Sequence, residues 1–391
     1  MKHIILIGDG MSDKPLKRLK GKTPLEAART PNMDHIAKGG ICGWANNVPK
    51  GMHPGSDVAG MSIFGYNPKK YYSGRGPLEA ASLGVKLKKG DIAFRCNLVT
   101  VKGRKMKDFT AGHIGTGEAK RAIREIQGKL GRRGIKFYPG LSYRHLLVVS
   151  SAVVGSAVRC VPPHDITGKK IAPYLPKGKR SDILLQLMNE SEVLLHEMKT
   201  KATMIWPWGQ GGEPKMPSFK KKYGKKGAII TAVHLLKGLG KILGLEVINV
   251  PGATGYLDTD YKGKAQYALK ALKRNAVVFV HVEAPDEAGH EGSIRKKVKA
   301  IEDFDRLVVG TILKDMRYER CDMRVMVLPD HPTPIADMTH TMDAVPFAIF
   351  PSRVSRIASH ISGYSEKQIK KSKIKIKDGY TLLGKFLGGK L

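Results

Sequence analysis

Acidic residues and histidines follow three apolar stretches of this chain, at the point where each stretch ends. The motifs are GDG at 8–10, EAPDEAGH at 283–290 and PDHPTP at 329–334, and the stretches before them are 3–7, 276–282 and 324–328. Such β-rich stretches are typical of buried strands in a mostly parallel sheet, whose carboxyl ends meet at one edge. Carboxylates and imidazoles gathered at that edge bind divalent metal ions. The pattern therefore predicts a metal-dependent enzyme.

Three aspartates and three histidines are the candidate ligands, namely Asp9, Asp286, His290, Asp330, His331 and His340. Asp286 and His290 are four residues apart, which places both on the same side of a helical turn. Each residue alone is compatible with a helix cap or a solvated turn. Together they favour a site for two divalent ions with mixed nitrogen and oxygen ligands, which Mn, Zn, Mg and Co all accept.

A nucleophile for such a site is offered by GMHPGSDVAGMSIFG at 51–65. The Pro54-Gly55 turn precedes a predicted helix that begins at Ser56 and ends at Gly65. A helix N-terminus favours anionic oxygens, and coordination to a metal lowers the pKa of a serine hydroxyl. The alternative is that Ser56 only caps the helix. The metal-ligand pattern elsewhere in the chain favours the nucleophile.

The charge of the chain is strongly positive, with 68 Lys+Arg against 34 Asp+Glu among 391 residues. A net charge of +34 attracts nucleic acid, anionic membranes and small phosphorylated substrates alike. The lysines are scattered, however, and only residues 367–377 (KQIKKSKIKIK) are locally dense. Aromatic residues make up 7% of the chain, which disfavours nucleic-acid binding as its sole function. We expect a solvated cationic surface and a small phosphorylated substrate.

The cysteines indicate neither a disulfide scaffold nor a structural zinc site, because Cys42, Cys96, Cys160 and Cys321 form no CxxC pair. The most apolar stretch, at 146–158, is interrupted by serines and a glycine and is shorter than the ~20 residues of a membrane-spanning helix. We therefore expect a soluble, cytoplasmic protein that does not enter a membrane.

The order of predicted elements indicates two domains of an α/β protein. Strands and helices alternate up to about residue 84 and again after residue 227, with a helix at 228–239, a strand at 246–250 and a helix at 264–273. Between them, β-branched runs at 97–101, 146–150 and 152–158 accompany one helix at 117–130. The prediction is a catalytic domain at 1–84 and 201–391 and an inserted α+β domain at 85–200.

A series of motifs runs in order from residue 3 to about residue 350. They are GDGMSD, TPNMD, PGSDVA, YYSGRGPLEA, AFRCNLV, DFTAGHI, SYRHLL, PPHDITGK, WGQG, PGATGY, VEAPDEAGH, PDHPTP and THTMDAVPF. In this combination the chain resembles the archaeal-type cofactor-independent phosphoglycerate mutases of the alkaline phosphatase superfamily. The resemblance implies a mostly parallel sheet sandwiched by helices, with an inserted domain that acts as a lid.

The resemblance also implies roles for individual residues. Asp9, Ser56, Asp330 and His331 would hold one ion, Asp286, His290 and His340 the other, and Ser56 would accept the phosphoryl group. The implied anion clamps are Arg75, Arg95, Arg144 and Lys264, since guanidinium and ammonium groups suit carboxylate and phosphate. His113, His164 and Asp165 are implied to contact substrate. The implied reaction interconverts 3-phosphoglycerate and 2-phosphoglycerate through phosphoserine, while the lid excludes water.

One residue departs from the family pattern. The family reads SDVAN where this chain has SDVAG, so the glycine at position 60 removes a side chain one turn beyond Ser56, and a contact near the phosphate is expected to be lost. The same superfamily contains phosphatases and proteins resembling homoserine kinases. A kinase is disfavoured because the chain has neither a P-loop nor GxGxxG after a strand.

Overall fold

The computed structural model describes residues 1–155, 157–319, 322–350 and 361–391, and it contains two compact units. Unit 1 is formed by Met1–Tyr72 and Met216–Leu391, and unit 2 by Ser73–Lys215. Unit 2 extends beyond the expected 85–200 at both ends. The reason is that a helix at its start and a strand at its end both pack on the first strand of this unit. Cys321 lies outside the described residues.

The first segment of unit 1 alternates strands and short helices, as expected from the sequence. Its elements are β1 (Lys2–Gly8), α1 (Pro24–Ala27), α2 (Pro31–Lys38), β2 (Ile41–Ala45), α3 (Ser56–Ile63) and α4 (Pro68–Tyr71). Helices α1 and α2 each begin with proline at the first helical position, where the missing N–H costs nothing. Thr23 and Glu26 form a capping box at α1, and α2 ends at Gly39.

Unit 2 is an antiparallel sheet with helices. Its elements are α5 (Arg75–Ser82), β3 (Asp91–Lys102), β4 (Lys105–Asp108), α6 (Thr116–Leu130), β5 (Ile135–Leu141), β6 (Arg144–Ser150), α7 (Asp182–Glu197) and β7 (Met204–Gly211). Strand β3 pairs with β4, β6 and β7, and β5 pairs with β6. The run at 152–158 is not a strand where the structure describes it. Instead, the N–H groups of Val153 and Val154 donate to the Ser150 carbonyl and form a turn.

The last segment completes unit 1. Its elements are α8 (Phe219–Tyr223), β8 (Gly227–Ile230), α9 (His234–Ile242), β9 (Glu246–Ile248), α10 (Tyr261–Leu272), β10 (Val277–Val282), α11 (Ala284–His290), α12 (Ile294–Asp303), a π-helical segment (Phe304–Val309), α13 (Gly310–Glu319), β11 (Met323–Leu328), β12 (Val345–Phe350), α14 (Glu366–Ile369), β13 (Lys375–Ile376) and α15 (Leu382–Leu387). The helix predicted at 228–239 is wrong, because its first residues form β8. Apolar periodicity alone does not separate a short buried strand from a buried helix.

The sheet of unit 1 brings the ends of the predicted strands to one edge. Its strand order is β13-β2-β12-β11-β1-β10-β8-β9, and β1 runs parallel to both of its neighbours. Ile7 is aligned with His281 on one side and with Leu328 on the other, so the loops after these strands begin side by side. Strand β12 is antiparallel and therefore starts at the same edge. The mostly parallel α/β sheet predicted from the sequence is confirmed.

Apolar side chains on the central strands account for this arrangement. Ile4, Leu6, Val280 and Val325 are fully buried in the main core of unit 1, as expected for strands covered on both faces. Among the described residues, no helix is both long enough and apolar enough to cross a bilayer.

Candidate metal centre and substrate-binding residues

The six predicted ligands converge at the carboxyl edge of the unit 1 sheet. Three groups of side chains have candidate ligand atoms within 4.8 Å of one another. They are Asp286, His290 and His340; Asp9, Asp286 and His331; and Asp9, His281 and Asp330. These residues belong to the loops after β1 and β11, to strand β10 and the helix α11 that follows it, and to the segment before β12. All six aspartate and histidine ligands expected from the sequence are thus in one cluster.

The His290 and His340 rings are arranged as metal ligands. Their Nε2 atoms are 2.9 Å apart, and these nitrogens lie 3.2 and 3.4 Å from the carboxylate oxygens of Asp286. Each Nδ1 lies 3.0 Å from a backbone carbonyl, that of Met338 and that of Pro54. A carbonyl only accepts, so each Nδ1 carries the hydrogen and, in a neutral ring, Nε2 presents a lone pair. Two facing lone pairs beside a carboxylate suit a divalent cation.

Asp9, Asp330 and His331 form the neighbouring part of the cluster. His331 Nε2 lies 3.5 Å from Asp9 Oδ1 and 3.4 Å from Asp330 Oδ2. Asp9 Oδ1 and Asp330 Oδ2 are buried and accept no hydrogen bond from a described residue. Burial, and then the charges of Asp330 and Asp286, raise the pKa of Asp9 well above its usual value. A bound dication would oppose this rise, because it favours the charged form of a carboxylate.

Ser56 lies at the start of α3 and faces the same carboxylates. Its Oγ is 3.5 Å from Asp9 Oδ2 and 3.4 Å from His331 Nε2. Gly55 before it is extended, and its carbonyl accepts the N–H groups of Val58 and Ala59. The Ser56 hydroxyl therefore stands where the helix dipole favours an anionic oxygen. The structure therefore places the predicted nucleophile beside the candidate metal ligands.

Lys297 on α12 ties the ligand loops together and was not anticipated from the sequence. Its side chain is fully buried, and its ammonium donates to Asp13 Oδ2 at 2.8 Å, to the Thr333 carbonyl at 2.7 Å and to the Ser12 carbonyl at 3.3 Å. The Thr333 hydroxyl in turn donates to Asp286. Lys297, one of many scattered lysines in the sequence, thus joins the loops that follow β1 and β11.

His281 is a second residue that the sequence analysis missed, although a histidine inside the buried run VVFVHV could have identified it. Its Nε2 lies 3.3 Å from Asp9 Oδ2, and its Nδ1 lies 3.2 Å from Glu283 Oε1. Burial alone would lower the pKa of His281, but the neighbouring carboxylates of Asp330 and Glu283 outweigh it and raise the pKa to about 9. A charged His281 offsets the negative charge of these carboxylates.

The predicted anion clamp Lys264 is not supported by the structure. Its side chain is fully buried, and its ammonium donates to Glu283 Oε2 at 2.7 Å and to the His281 carbonyl at 3.0 Å. Burial would raise the pKa of Glu283, but the charge of Lys264 and the hydrogen bond with His281 prevail and lower it. Lys264 therefore stabilises the Glu283 carboxylate that orients His281.

Arg75 and Arg95 of unit 2 flank one aromatic ring. Their guanidinium carbons lie 5.4 and 5.3 Å from the centre of the Trp208 ring, whose indole N–H donates to Asn97 at 3.0 Å. Arg95 is 7% exposed, and its Nε has no hydrogen-bond partner among the described residues. Burial lowers the pKa of Arg95 to about 10 despite the opposing charge of Glu79. This buried cation is suited to receive an anion.

Aromatic contacts connect the other predicted residues of unit 2 to Trp208. Ring centres lie 5.2 Å apart for Trp208 and His164, 5.9 Å for His164 and Phe109, 6.0 Å for Phe109 and Tyr143, and 6.5 Å for Tyr143 and His113. The Arg144 guanidinium lies 5.5 Å from the Tyr143 ring, and Asp165 lies 3.6 Å from His164 Nε2. The predicted substrate-binding residues of unit 2 therefore line one chain of rings.

Gly60 on α3 faces another helix. A Cβ added at this position would come within 2.5 Å of Leu236 Cδ2 on α9. The missing side chain would thus point at Leu236, and its absence lets the two helices approach closely. Because a side chain at position 60 would point at Leu236, the structure does not support the expected loss of a contact near the phosphate.

One family of known proteins resembles this chain. The family model for 2,3-bisphosphoglycerate-independent phosphoglycerate mutase matches residues 37–200. The chain is 54% identical over 360 residues to the mutase of that name from Methanosarcina acetivorans, covering 90% of both chains. It is 50% identical over 395 residues to that of Methanosarcina barkeri, covering 98% of both.

Two solved structures share the fold. The PH0037 protein from Pyrococcus horikoshii has a TM-score of 0.82 at 28% identity and covers 100% of this chain and 98% of its own. The cofactor-independent phosphoglycerate mutase from Thermoplasma acidophilum has a TM-score of 0.68 at 26% identity, with 99% of both chains covered. With relatives this similar over nearly its whole length, the chain belongs to the 2,3-bisphosphoglycerate-independent phosphoglycerate mutases.

Proposed function

We propose that this enzyme interconverts 3-phosphoglycerate and 2-phosphoglycerate through a phosphoserine at Ser56. The observation that carries the proposal is the position of the Ser56 hydroxyl, at a helix N-terminus and within 3.5 Å of Asp9 and His331. Membership of the mutase family supports the substrate. A homoserine kinase-like activity gains no support, because the relatives compared above are named as mutases.

Two divalent ions belong to this proposal. Asp9, Ser56, Asp330 and His331 would hold one ion, and Asp286, His290 and His340 the other. The unpartnered oxygens of Asp9 and Asp330 and the facing Nε2 atoms of His290 and His340 fit such ions. Bound divalent ions lower the pKa of a serine hydroxyl and offset the negative charge of a phosphoryl group. Mixed nitrogen and oxygen ligands suit manganese among other metals.

The residues of the chain define each step. The Ser56 oxygen attacks phosphorus and gives up its proton, for which Asp9 Oδ2 at 3.5 Å is the acceptor. The bond between phosphorus and the 3-oxygen of glycerate breaks, and that oxygen takes a proton. The 2-hydroxyl then attacks the phosphoserine, loses its proton and restores the Ser56 hydroxyl. Charge that develops on the phosphoryl oxygens faces the N-terminus of α3.

Unit 2 would bind the glycerate. Arg75, Arg95 and Arg144 present guanidinium groups, which pair with a carboxylate through two parallel hydrogen bonds. His113, His164 and Asp165 would contact the hydroxyl groups. Holding the glycerate while Ser56 is phosphorylated prevents its loss, and excluding water prevents hydrolysis of the phosphoserine. We propose that unit 2 acts as a lid that retains the glycerate and excludes water. We also propose that the enzyme works in the cytoplasm.

The test is a coupled enolase assay on 3-phosphoglycerate with added metal and without 2,3-bisphosphoglycerate. We expect turnover that is lost on chelation and restored by a divalent ion. The Ser56→Ala variant should bind metal but lose turnover, and trapped enzyme should carry phosphate on Ser56 by intact-mass and peptide analysis. Phosphate on another residue, or normal turnover of Ser56→Ala, would contradict the covalent step. Release of inorganic phosphate alone would indicate a phosphatase.

A further inference from the structure

A cavity of about 730 Å³ lies in unit 1 at the end of β2 and β13 and takes no part in the proposed reaction. Four lysines line it, namely Lys367, Lys370, Lys375 and Lys377. They belong to the densest cationic run of the sequence, which no motif of the family explains. Its volume is in the range of small-molecule sites, whereas a membrane surface or a nucleic-acid duplex binds to broader surfaces.

The four lysines are available to a ligand. All four are exposed, and none forms an ion pair within the part of the chain that the structure describes. Clustered ammonium groups without carboxylate partners repel one another and attract a multiply charged anion. The cationic side of the cavity therefore favours a ligand that carries several negative charges.

The acidic residues of the cavity are already bonded by the protein. Glu366 accepts hydrogen bonds from the Ser12 hydroxyl, the Asp13 N–H and the Thr23 hydroxyl at 3.1, 3.1 and 2.7 Å. Asp13 is paired with Lys297, and Glu26 accepts the N–H of Thr23 in the capping box. These carboxylates are held by donors of the fold and form no ion pair with the four lysines in the part of the chain that the structure describes.

An aromatic ring provides the apolar wall. Trp44 on β2 is half-buried, lines the cavity and is fixed by the donation of its indole N–H to the Ile369 carbonyl at 3.2 Å. Ile376 and Pro15 continue this wall. A fixed indole favours stacking with a flat heterocycle. The ligand that matches both sides of the cavity has an aromatic ring system and a chain of phosphates.

We propose that this cavity is a regulatory site for a nucleoside polyphosphate, with the base on Trp44 and the phosphates on the lysines. Glu366, at the start of α14, connects the site to the metal centre. Its carboxylate bonds Ser12 and Asp13, which lie three and four residues after Asp9 in the same loop. A nucleotide bound beside α14 acts on this loop through Glu366 and thereby changes the turnover rate of the mutase.

The test measures ATP binding by calorimetry at saturating 3-phosphoglycerate and metal, so that the catalytic site is filled. We expect the Lys370→Glu/Lys375→Glu variant to lose at least about tenfold in affinity, because each reversal replaces an attractive charge with a repulsive one. The matched control is Lys220→Glu/Lys221→Glu, which makes the same change of charge on the exposed face of α8 and should bind as the wild type does. Neither pair belongs to the catalytic residues, so turnover without ATP should be unchanged.

Two further measurements separate the parts of the proposal. Trp44→Leu should weaken ATP but leave the affinity for inorganic tripolyphosphate unchanged, which identifies the base as the group that contacts the ring. ATP should change turnover of the wild type and of the control but not of Lys370→Glu/Lys375→Glu. Equal affinity of both charge-reversed variants, or loss of ATP binding when 3-phosphoglycerate is added, would overturn the site. Binding without any change in turnover would overturn the connection through Glu366.

Discussion

The metal centre of unit 1 and the arginine cluster of unit 2 both concentrate charge, but they balance it in opposite ways. Around the metal centre, carboxylates alternate with imidazoles and a buried lysine that neutralise part of their charge. In unit 2, Arg75 and Arg95 lie against the ring of Trp208, which offers only a weak attraction. Protein partners thus balance part of the charge of the first cluster, whereas in the second cluster two guanidinium groups lie beside one aromatic ring.

The largest effect is expected at Asp286, one of the two carboxylates that each belong to two ligand groups. Asp286→Asn removes the negative charge of the carboxylate that faces His290 and His340 and that also belongs to the group with Asp9. We expect turnover to fall by about a thousandfold, or ~4 kcal/mol of transition-state stabilisation, together with loss of bound metal by elemental analysis. Asp258→Asn, an exposed aspartate bonded to Thr254, is the control and should retain both. Full metal content in Asp286→Asn would contradict its role as a ligand.

Lys297 tests whether the charge balance in unit 1 also stabilises the fold. Lys297→Met leaves Asp13 buried and unpaired, which should lower the free energy of unfolding by about 3 kcal/mol in urea titrations. Lys299→Met on the same helix removes an exposed ammonium from Asp303, which keeps its pair with Arg306, and should cost less than about 1 kcal/mol. Similar losses in the two variants would show that the buried pair contributes no more than a surface one.

Arg144→Ala tests the role assigned to unit 2. Isomerisation should fall by about tenfold, ~1.4 kcal/mol, because a guanidinium that holds glycerate is gone. The ratio of inorganic phosphate to isomerised product should rise as glycerate escapes and water reaches the phosphoserine. Both products are assayed in one reaction, with Arg133→Ala, an exposed arginine of unit 2, as control. An unchanged ratio would mean that Arg144 does not retain the glycerate.

The smallest expected effect is on the stability of unit 2 and depends on the protonation of His145. It is fully buried and accepts the Gly140 N–H at 2.9 Å, and burial lowers its pKa to about 3. In the unfolded chain the histidine has a pKa near 6.5, so as the pH falls the unfolded chain takes up a proton before the folded one does. The contribution of the neutral, buried His145 to stability is therefore complete above pH 6.5 and is lost as the pH falls toward 3. The contribution is about 1 kcal/mol between pH 6.5 and 5.5.

His145→Phe should remove this part of the pH dependence of unfolding. Trp206 and Trp208 both lie in unit 2, so their fluorescence reports the transition. The exposed His196→Phe is the matched control and should keep the slope of the wild type. Equal slopes in both variants would assign the acid sensitivity to other groups.

Most of the metal centre was predictable because strand ends and short motifs are local in the sequence. The strands before Asp9, Asp286 and Asp330 are apolar and bounded by turns, and a parallel arrangement places their ends together. His281 was missed because it lies within a strand, and Lys297 because a buried lysine has no local pattern that separates it from exposed ones. The misassigned helix at 228–239 has the same origin, since burial and strand pairing, not periodicity, decide the conformation of Ala228 to Ile230.

The contacts in unit 2 were less predictable. Arg75, Arg95 and Arg144 were identified only through the motifs of the family, and their packing on rings depends on residues far away in the chain. Trp208 reaches Arg95 through the pairing of β7 with β3. The early start of this unit at Ser73 also follows from tertiary packing, because Gly76 of α5 lies against the backbone of Ala93.

The discontinuity of unit 1 has a consequence for the order of folding during synthesis. Unit 2 is a continuous segment, so its antiparallel strands find their partners as soon as Lys215 has left the ribosome. Strand β1, in contrast, pairs with β10 and β11, whose residues come more than 270 positions later. Contacts this distant form slowly. Ser56 and Asp9 are therefore synthesised early, but the strands that bring Asp286 and Asp330 beside Asp9 arrive only with the last third of the chain. We expect activity to appear only when synthesis is nearly complete.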